Sequence, residues 1–160
     1  MKKILFASMA ALSLSACASG ALTVEQPNRS AFKTNAAQVV YDDSLVGVEN
    51  EDVAYTQRKM EEAFFGGKSP IFDRGAGLTV RFRYIGFDEG SRVGRYMTMG
   101  LMGGSDIVLE TEFVGPDGQV LSRVRGNGNV RGGFLGGSSR SGIDKAVDEI
   151  ADYAAVQFKR

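Results

Sequence analysis

The spacing of hydrophobic positions changes from one segment of this chain to the next, and each change marks an element. Residues 4–14 form an apolar run, interrupted by Ser8 and Ser13, behind Lys2 and Lys3. The run is too short for the ~20 residues that span a bilayer, and a basic start before it is the build of an export leader. Residues 38–41 alternate briefly and predict a short strand before the turn-like Asp42-Asp43-Ser44. From 51 to 65 the spacing becomes helical, with Val53, Met60, Ala63 and Phe64 as the apolar stripe. Asn50 is the expected cap, acids fill the first turn and Gly66-Gly67 ends it. Leu78, Val80, Phe82 and Tyr84 then alternate with Thr79, Arg81 and Arg83, which predicts a strand with one wet face. Ile85 and Phe87 fall out of phase around Gly86, so a bulge is expected there.

Ile107, Leu109, Thr111 and Phe113 repeat the alternation against Glu110 and Glu112, and Gly115-Pro116-Asp117-Gly118 is a strong turn before Val120, Ser122 and Val124. The apolar pattern predicts Phe113 opposite Val120, Thr111 opposite Ser122, Leu109 opposite Val124 and hence Glu110 opposite Arg123. The turn also suits a three-residue loop with a bulge, whose one-residue slip would set Arg123 against Thr111 and expose Val124. From Ile143 the spacing is helical again, with Ala146, Val147, Ile150, Ala151, Ala154 and Phe158 on the same face. The expected fold is α+β, in the order β-α-β-β-β-α: an antiparallel sheet of about four strands with two helices on one face.

Leu14-Ser15-Ala16-Cys17 closes the leader and resembles the lipobox of bacterial lipoprotein precursors. In that class the signal is cut before the cysteine, which is then acylated on its sulfur and its new amino terminus. One acyl chain holds only reversibly, while two or three make attachment stable. Ala18, in place of Asp, implies by the same resemblance a passage to the outer membrane. The expected organisation is a signal peptide at 1–16, an acylated cysteine and flexible tether at 17–35, and a single domain at 36–160. The tether rests on small and polar residues such as Pro27, Asn28 and Ser30.

Composition removes several chemistries. Cys17 is the single cysteine, so there is no intramolecular disulfide and no paired-thiol site; with no histidine, imidazole-based catalysis and His-ligated zinc are excluded. Lys+Arg and Asp+Glu stand at 19 each, a balance unlike that of a nucleic-acid binder. Gly67-Lys68-Ser69 imitates the end of a phosphate loop, but Glu62 stands where that motif needs Gly, so no nucleotide and no cofactor is expected. The 21 glycines exceed ordinary usage and ask for a positional explanation.

The second half of the chain resembles the bacterial lipoprotein family known as domain of unknown function 4410. The residues that carry the resemblance are the charged strand at 78–85, Gly90-Ser91-Arg92 with Arg95-Tyr96-Met97, the cluster between Gly100 and Gly104, the hairpin, Gly132-Gly133-Phe134-Leu135-Gly136-Gly137 and the closing helix. It implies an envelope lipoprotein without an established activity.

Two sets of side chains are candidates for function. Tyr96, Met97, Met99, Leu101, Met102, Phe134 and Leu135 are apolar residues in Gly-rich stretches that the connectivity sends to one end of the sheet, a candidate surface for a protein or lipid partner. Arg81, Arg83, Arg123 and Arg125 could hold an anion, or could form a structural ion ladder with Glu110 and Glu112. The adjacent acids Asp42-Asp43, Glu61-Glu62 and Asp148-Glu149 leave a carboxylate-dependent hydrolase as the rival to a binding protein, although neighbouring acids point to different sides of an element.

Overall fold

The computed structural model describes residues 21–43, 46–87, 105–130 and 139–160. In chain order the elements are β1 (Ala21–Gln26), β2 (Ala36–Tyr41), α1 (Asn50–Phe65), β3 (Asp73–Arg74), β4 (Leu78–Phe87), β5 (Ser105–Val114), β6 (Val120–Val130) and α2 (Ser139–Phe158). The class is α+β as expected, but the sheet has six strands, ordered β1-β6-β5-β4-β2-β3, and is mixed where an antiparallel one was expected. β2 runs parallel to β4 because α1 carries the chain back along the sheet between them, the kind of crossover a parallel pair requires. The remaining neighbours of β4, β5 and β6 are antiparallel.

β1 corrects the expected tether. Ala21–Gln26 pairs along β6, with Leu22 opposite Gly126 and Val24 opposite Val124. The residues that follow are docked as well: the Thr34 amide donates to the Phe158 carbonyl at 2.8 Å, Lys33 Nζ to Val156 at 3.0 Å and Asn28 Nδ2 to Gln157 at 3.4 Å. These donors satisfy the last carbonyls of α2, which have no partner inside their own helix. The short polar residues read from sequence as slack chain are a helix C-cap.

α1 begins one residue earlier than expected. Asn50 is its first helical residue, and Glu49 occupies the cap position without a side-chain bond, its carbonyl accepting from the Asp52 and Val53 amides. Gly66 ends the helix as expected, its amide bonded to the Glu62 carbonyl at 2.8 Å. The expected bulge at Gly86 is present, as a shift in the β4–β5 register between Tyr84 and Gly86.

The β5–β6 hairpin corrects both expected registers. Gly118, at φ 81°, closes a tight turn by donating to the Gly115 carbonyl at 3.0 Å, and the Gly115 amide donates to Gln119 at 2.9 Å. This is the three-residue loop with a glycine bulge. It sets Val114 opposite Val120, one residue out of phase with the apolar pattern, and a second bulge around Leu121 then sets Phe113 opposite Ser122. Two one-residue shifts sum to two, so every side chain returns to its expected face while every partner changes. Glu110 faces Arg125 and Glu112 faces Arg123; Val124 remains fully buried.

Both helices cover one face of the sheet and pack on each other. Met60 and Phe64 from α1, Ile143, Val147, Ile150 and Phe158 from α2, and Val80, Phe82, Leu109 and Phe113 from the strands form one core. Phe113 stacks on Phe158 at 5.0 Å and lies 5.7 Å from Tyr153. β6 continues through Gly126 and Gly128 by pairing with Leu109 and Ile107 of β5, and α2 crosses close over both glycines. A Cβ on Gly126 would come 2.9 Å from the Ala146 carbonyl, and one on Gly128 would overlap the Gly142 carbonyl. Part of the glycine excess is thus the price of close helix approach.

Candidate functional site: the charged face of the sheet

On the opposite face the strands present charge. Register alone aligns two rows across β4, β5 and β6: Arg83, Glu110 and Arg125 in one, Arg81, Glu112 and Arg123 in the other. Directly opposed residues stand close enough for their side chains to pair, and both rows close. Glu110 Oε1 accepts from Arg83 Nε at 2.9 Å and from a second nitrogen of the same guanidinium, while its Oε2 lies 3.4 Å from Arg125. Glu112 Oε1 accepts from Arg123 at 2.6 and 3.0 Å, and its Oε2 lies 3.5 Å from Arg81. Two outer acids extend the first row, Glu25 of β1 at 2.8 Å from Arg125 and Asp42 after β2 at 3.9 Å from Arg83.

The six residues singled out from sequence are therefore brought together as a ladder. Their arginines are engaged with carboxylates, and the acids are the more deeply placed partners, with the Glu110 side chain 5% exposed against 43% for Arg125. Burial pushes the Glu110 carboxyl up, but the hydrogen bond and charge of Arg83, with Arg123 and Arg125 behind it, outweigh burial and hold it below the ordinary carboxylate value. A carboxylate held ionised between two guanidiniums is poorly placed to shuttle protons.

Sequence reasoning missed Glu25 and Asp42 as members of the ladder. Glu25 lay in the presumed tether, and Asp42 in a turn; the signal that would have found them is sign alternation, since a row reading plus, minus, plus asks for an acid at each end.

The acids Glu62, Asp144 and Asp148 meet elsewhere, with Lys59, along an open groove of about 320 Å³ between α1 and α2. Asp148 is raised above the ordinary aspartate value by partial burial first and then by the charges of Asp144 and Asp152. Asp144 accepts a hydrogen bond from the Tyr55 hydroxyl at 2.9 Å, and Lys59 lies 3.1 Å from Glu62. Asp42-Asp43 and Glu61-Glu62 do not join this groove as pairs: Asp42 faces the ladder and Glu61 pairs with Arg74. Among the described residues no three potential ligands converge for a metal ion, and no helix is long and apolar enough to cross a membrane.

Cys17 and the apolar set Tyr96, Met97, Met99, Leu101, Met102, Phe134 and Leu135 lie outside the described residues. The strand ends that flank the apolar segments are described, and Phe87, Ser105 and Val130 are gathered at one end of the sheet by their pairing.

No family model matches the chain, and no curated protein does. Two crystal structures of the PelC dodecamer from Paraburkholderia phytofirmans are similar in fold. One, a point variant, has a TM-score of 0.55 at 12% identity, and the other 0.51 at 13%; each alignment covers 88% of this chain and all of the other. At such identity the likeness establishes a shared fold.

Proposed function

We propose that this chain is an envelope lipoprotein, cut before Cys17, acylated there and held at the outer membrane facing the periplasm. On this reading it acts by binding a protein or lipid partner in envelope assembly, secretion or transport, without catalysis. The observation that carries it is Leu14-Ser15-Ala16-Cys17 behind a basic and apolar leader, directly ahead of a folded domain that begins at Ala21. The ladder supports it, because its paired charges make a stiff surface and tie up the acids that chemistry would need. The likeness to PelC, a protein solved as a dodecamer, makes further copies of this chain one candidate partner. Cross-linking in intact membranes, then mass analysis of the products, is expected to recover multimers or a defined envelope partner from wild type. The Cys17→Ser variant should lose fatty-acid label. Equal labelling of the two would overturn the anchor.

One observation favours a hydrolase as a second reading: Asp144, Asp148 and Glu62 share one groove, and partial burial raises Asp148 above the ordinary aspartate value. Asp148→Asn would then abolish a measurable activity. Under the binding reading it relieves repulsion along α2 and leaves partner recovery unchanged.

A further inference from the structure

We infer that the domain does not hang free of the membrane but rests one corner of its sheet, where β1 begins beside β6, on the lipid surface that holds Cys17. The inference builds on the lipoprotein reading and adds an orientation to it. Only residues 18–20 separate Cys17 from Ala21, the first residue of β1. At most ~3.6 Å per residue, the four steps from Cys17 to Ala21 reach about 14 Å when fully extended. β6 has 11 residues, about 36 Å of strand at ~3.3 Å each. The anchor can therefore bring one end of the sheet to the membrane and leaves the other end out of reach.

The pairing identifies which end that is. Ala21 stands opposite Asn127, three residues from the end of β6, while Gln26 stands opposite Arg123, toward the hairpin turn. β1 is not free to peel away and lengthen the reach. The Ser122 hydroxyl donates to the Gln26 carbonyl at 2.7 Å and accepts from the Tyr153 hydroxyl at 2.7 Å, and Glu25 lies 2.8 Å from Arg125 as an ion pair without hydrogen-bond geometry. Beyond Gln26 the chain is fixed again at the end of α2.

The charge distribution selects a corner over a flat approach. Asp43 and Glu49 also stand at this end, where β2 finishes and α1 starts, toward the opposite edge of the sheet from β1, while Asp42 and Glu51 beside them are paired with Arg83 and Arg140. β1 and β2 are four strand spacings apart in the sheet order, about 19 Å at ~4.8 Å each. Anionic headgroups repel those acids, so contact is made through β1 and the end of β6 while the acidic side stands off. The hairpin turn and Arg160 point away from the lipid.

The test uses acylated protein reconstituted into phosphatidylcholine–phosphatidylglycerol vesicles that carry a headgroup nitroxide quencher. Thr23→Cys, Asp43→Cys and Lys68→Cys, all exposed positions, each receive the same fluorophore. Quenching is expected at position 23, less at 43 and none at 68. A flexible Gly-Ser insertion of about twelve residues after Ala18, adding a mean reach near 20 Å, should remove the difference between positions. Protein that carries fatty acid but is quenched equally at 23 and 68 without the insertion overturns the docking and leaves the lipoprotein reading standing. Wild type without fatty acid removes the anchor itself, and the orientation with it.

Discussion

The same three strands show two faces that encode different things. On the covered face of β4, β5 and β6, apolar residues at alternate positions are buried to a few per cent or less. That face specifies phase, because any even shift of one strand against another returns an apolar side chain to the core. On the open face, Arg81, Arg83, Glu110, Glu112, Arg123 and Arg125 specify register, because a shift of two breaks the rows. With Phe113 opposite Val120, Glu112 would face Leu121 and Arg125 would face Val108, and one Glu–Arg opposition would survive between β5 and β6. In the observed register both acids of β5 face an arginine on each side. The core fixes which face each strand buries, and the turn at Gly115–Gly118, the bulge after it and the charged rows together fix which residues meet.

Substitutions on the two faces should separate those contributions, and the largest effect belongs to the core. Phe113→Ala removes a fully buried ring that packs on Phe158 and Tyr153. It is expected to cost ~3–5 kcal/mol in urea unfolding.

Glu110→Ala comes next, at ~1.5–3 kcal/mol, because it strips a nearly buried acceptor from Arg83 and Arg125. Its pH dependence has a definite sign. The folded carboxyl titrates below its unfolded value near 4.5, so its contribution is full above that value and fades as the pH falls through the lowered folded one. Wild type should lose stability over this acid window by more than Glu110→Ala does, as read by urea titrations at stepped pH.

Thr111→Val tests the covered face in the opposite direction. Thr111 is fully buried, and its hydroxyl has no hydrogen-bond partner among the described residues. Replacing it with a methyl group should raise stability by about 1 kcal/mol; a loss of that size would mean that the hydroxyl is satisfied. The smallest effect is Arg81→Ala, below ~1 kcal/mol, since that side chain is 42% exposed and its contact is long.

Much of the fold was legible in the sequence because period carries it. The alternation of β4, the bulge at Gly86 and the α2 face from Ile143 to Phe158 rest on apolar side chains that are buried where the pattern placed them, while of the α1 stripe Met60 and Phe64 are buried, Val53 and Ala63 are half-buried, and the polar Asp52 and Thr56 complete the covered face. What was not legible depends on tertiary partners. β1 does alternate, Leu22 and Val24 against Thr23 and Glu25, but it is an edge strand with Val24 43% exposed. Its order comes from β6 and from Ser122, which no local pattern reveals. Gly126 and Gly128 are poor strand formers that are held as strand by their pairing with Leu109 and Ile107 of β5, and α2 passes too close to leave room for a Cβ at either. The parallel pairing of β2 followed from where α1 delivers the chain, which the order of elements alone leaves open.

For the candidate site, the ladder residues were identifiable from the alternation of charge on wet strand positions. Their partners were not, because apolar alternation is blind to a two-residue shift. Counting opposed Glu–Arg pairs for each register would have selected the observed one.

The proposed anchor requires that the mature chain begin at an acylated Cys17, four residues ahead of Ala21, where β1 starts. Intact-mass analysis of the protein extracted from membranes tests it most directly. The expected mass is that of residues 17–160 plus two or three acyl chains, with the added mass mapping to the N-terminal peptide. A chain that retains residues 1–16, or that begins elsewhere without acyl mass, would contradict it.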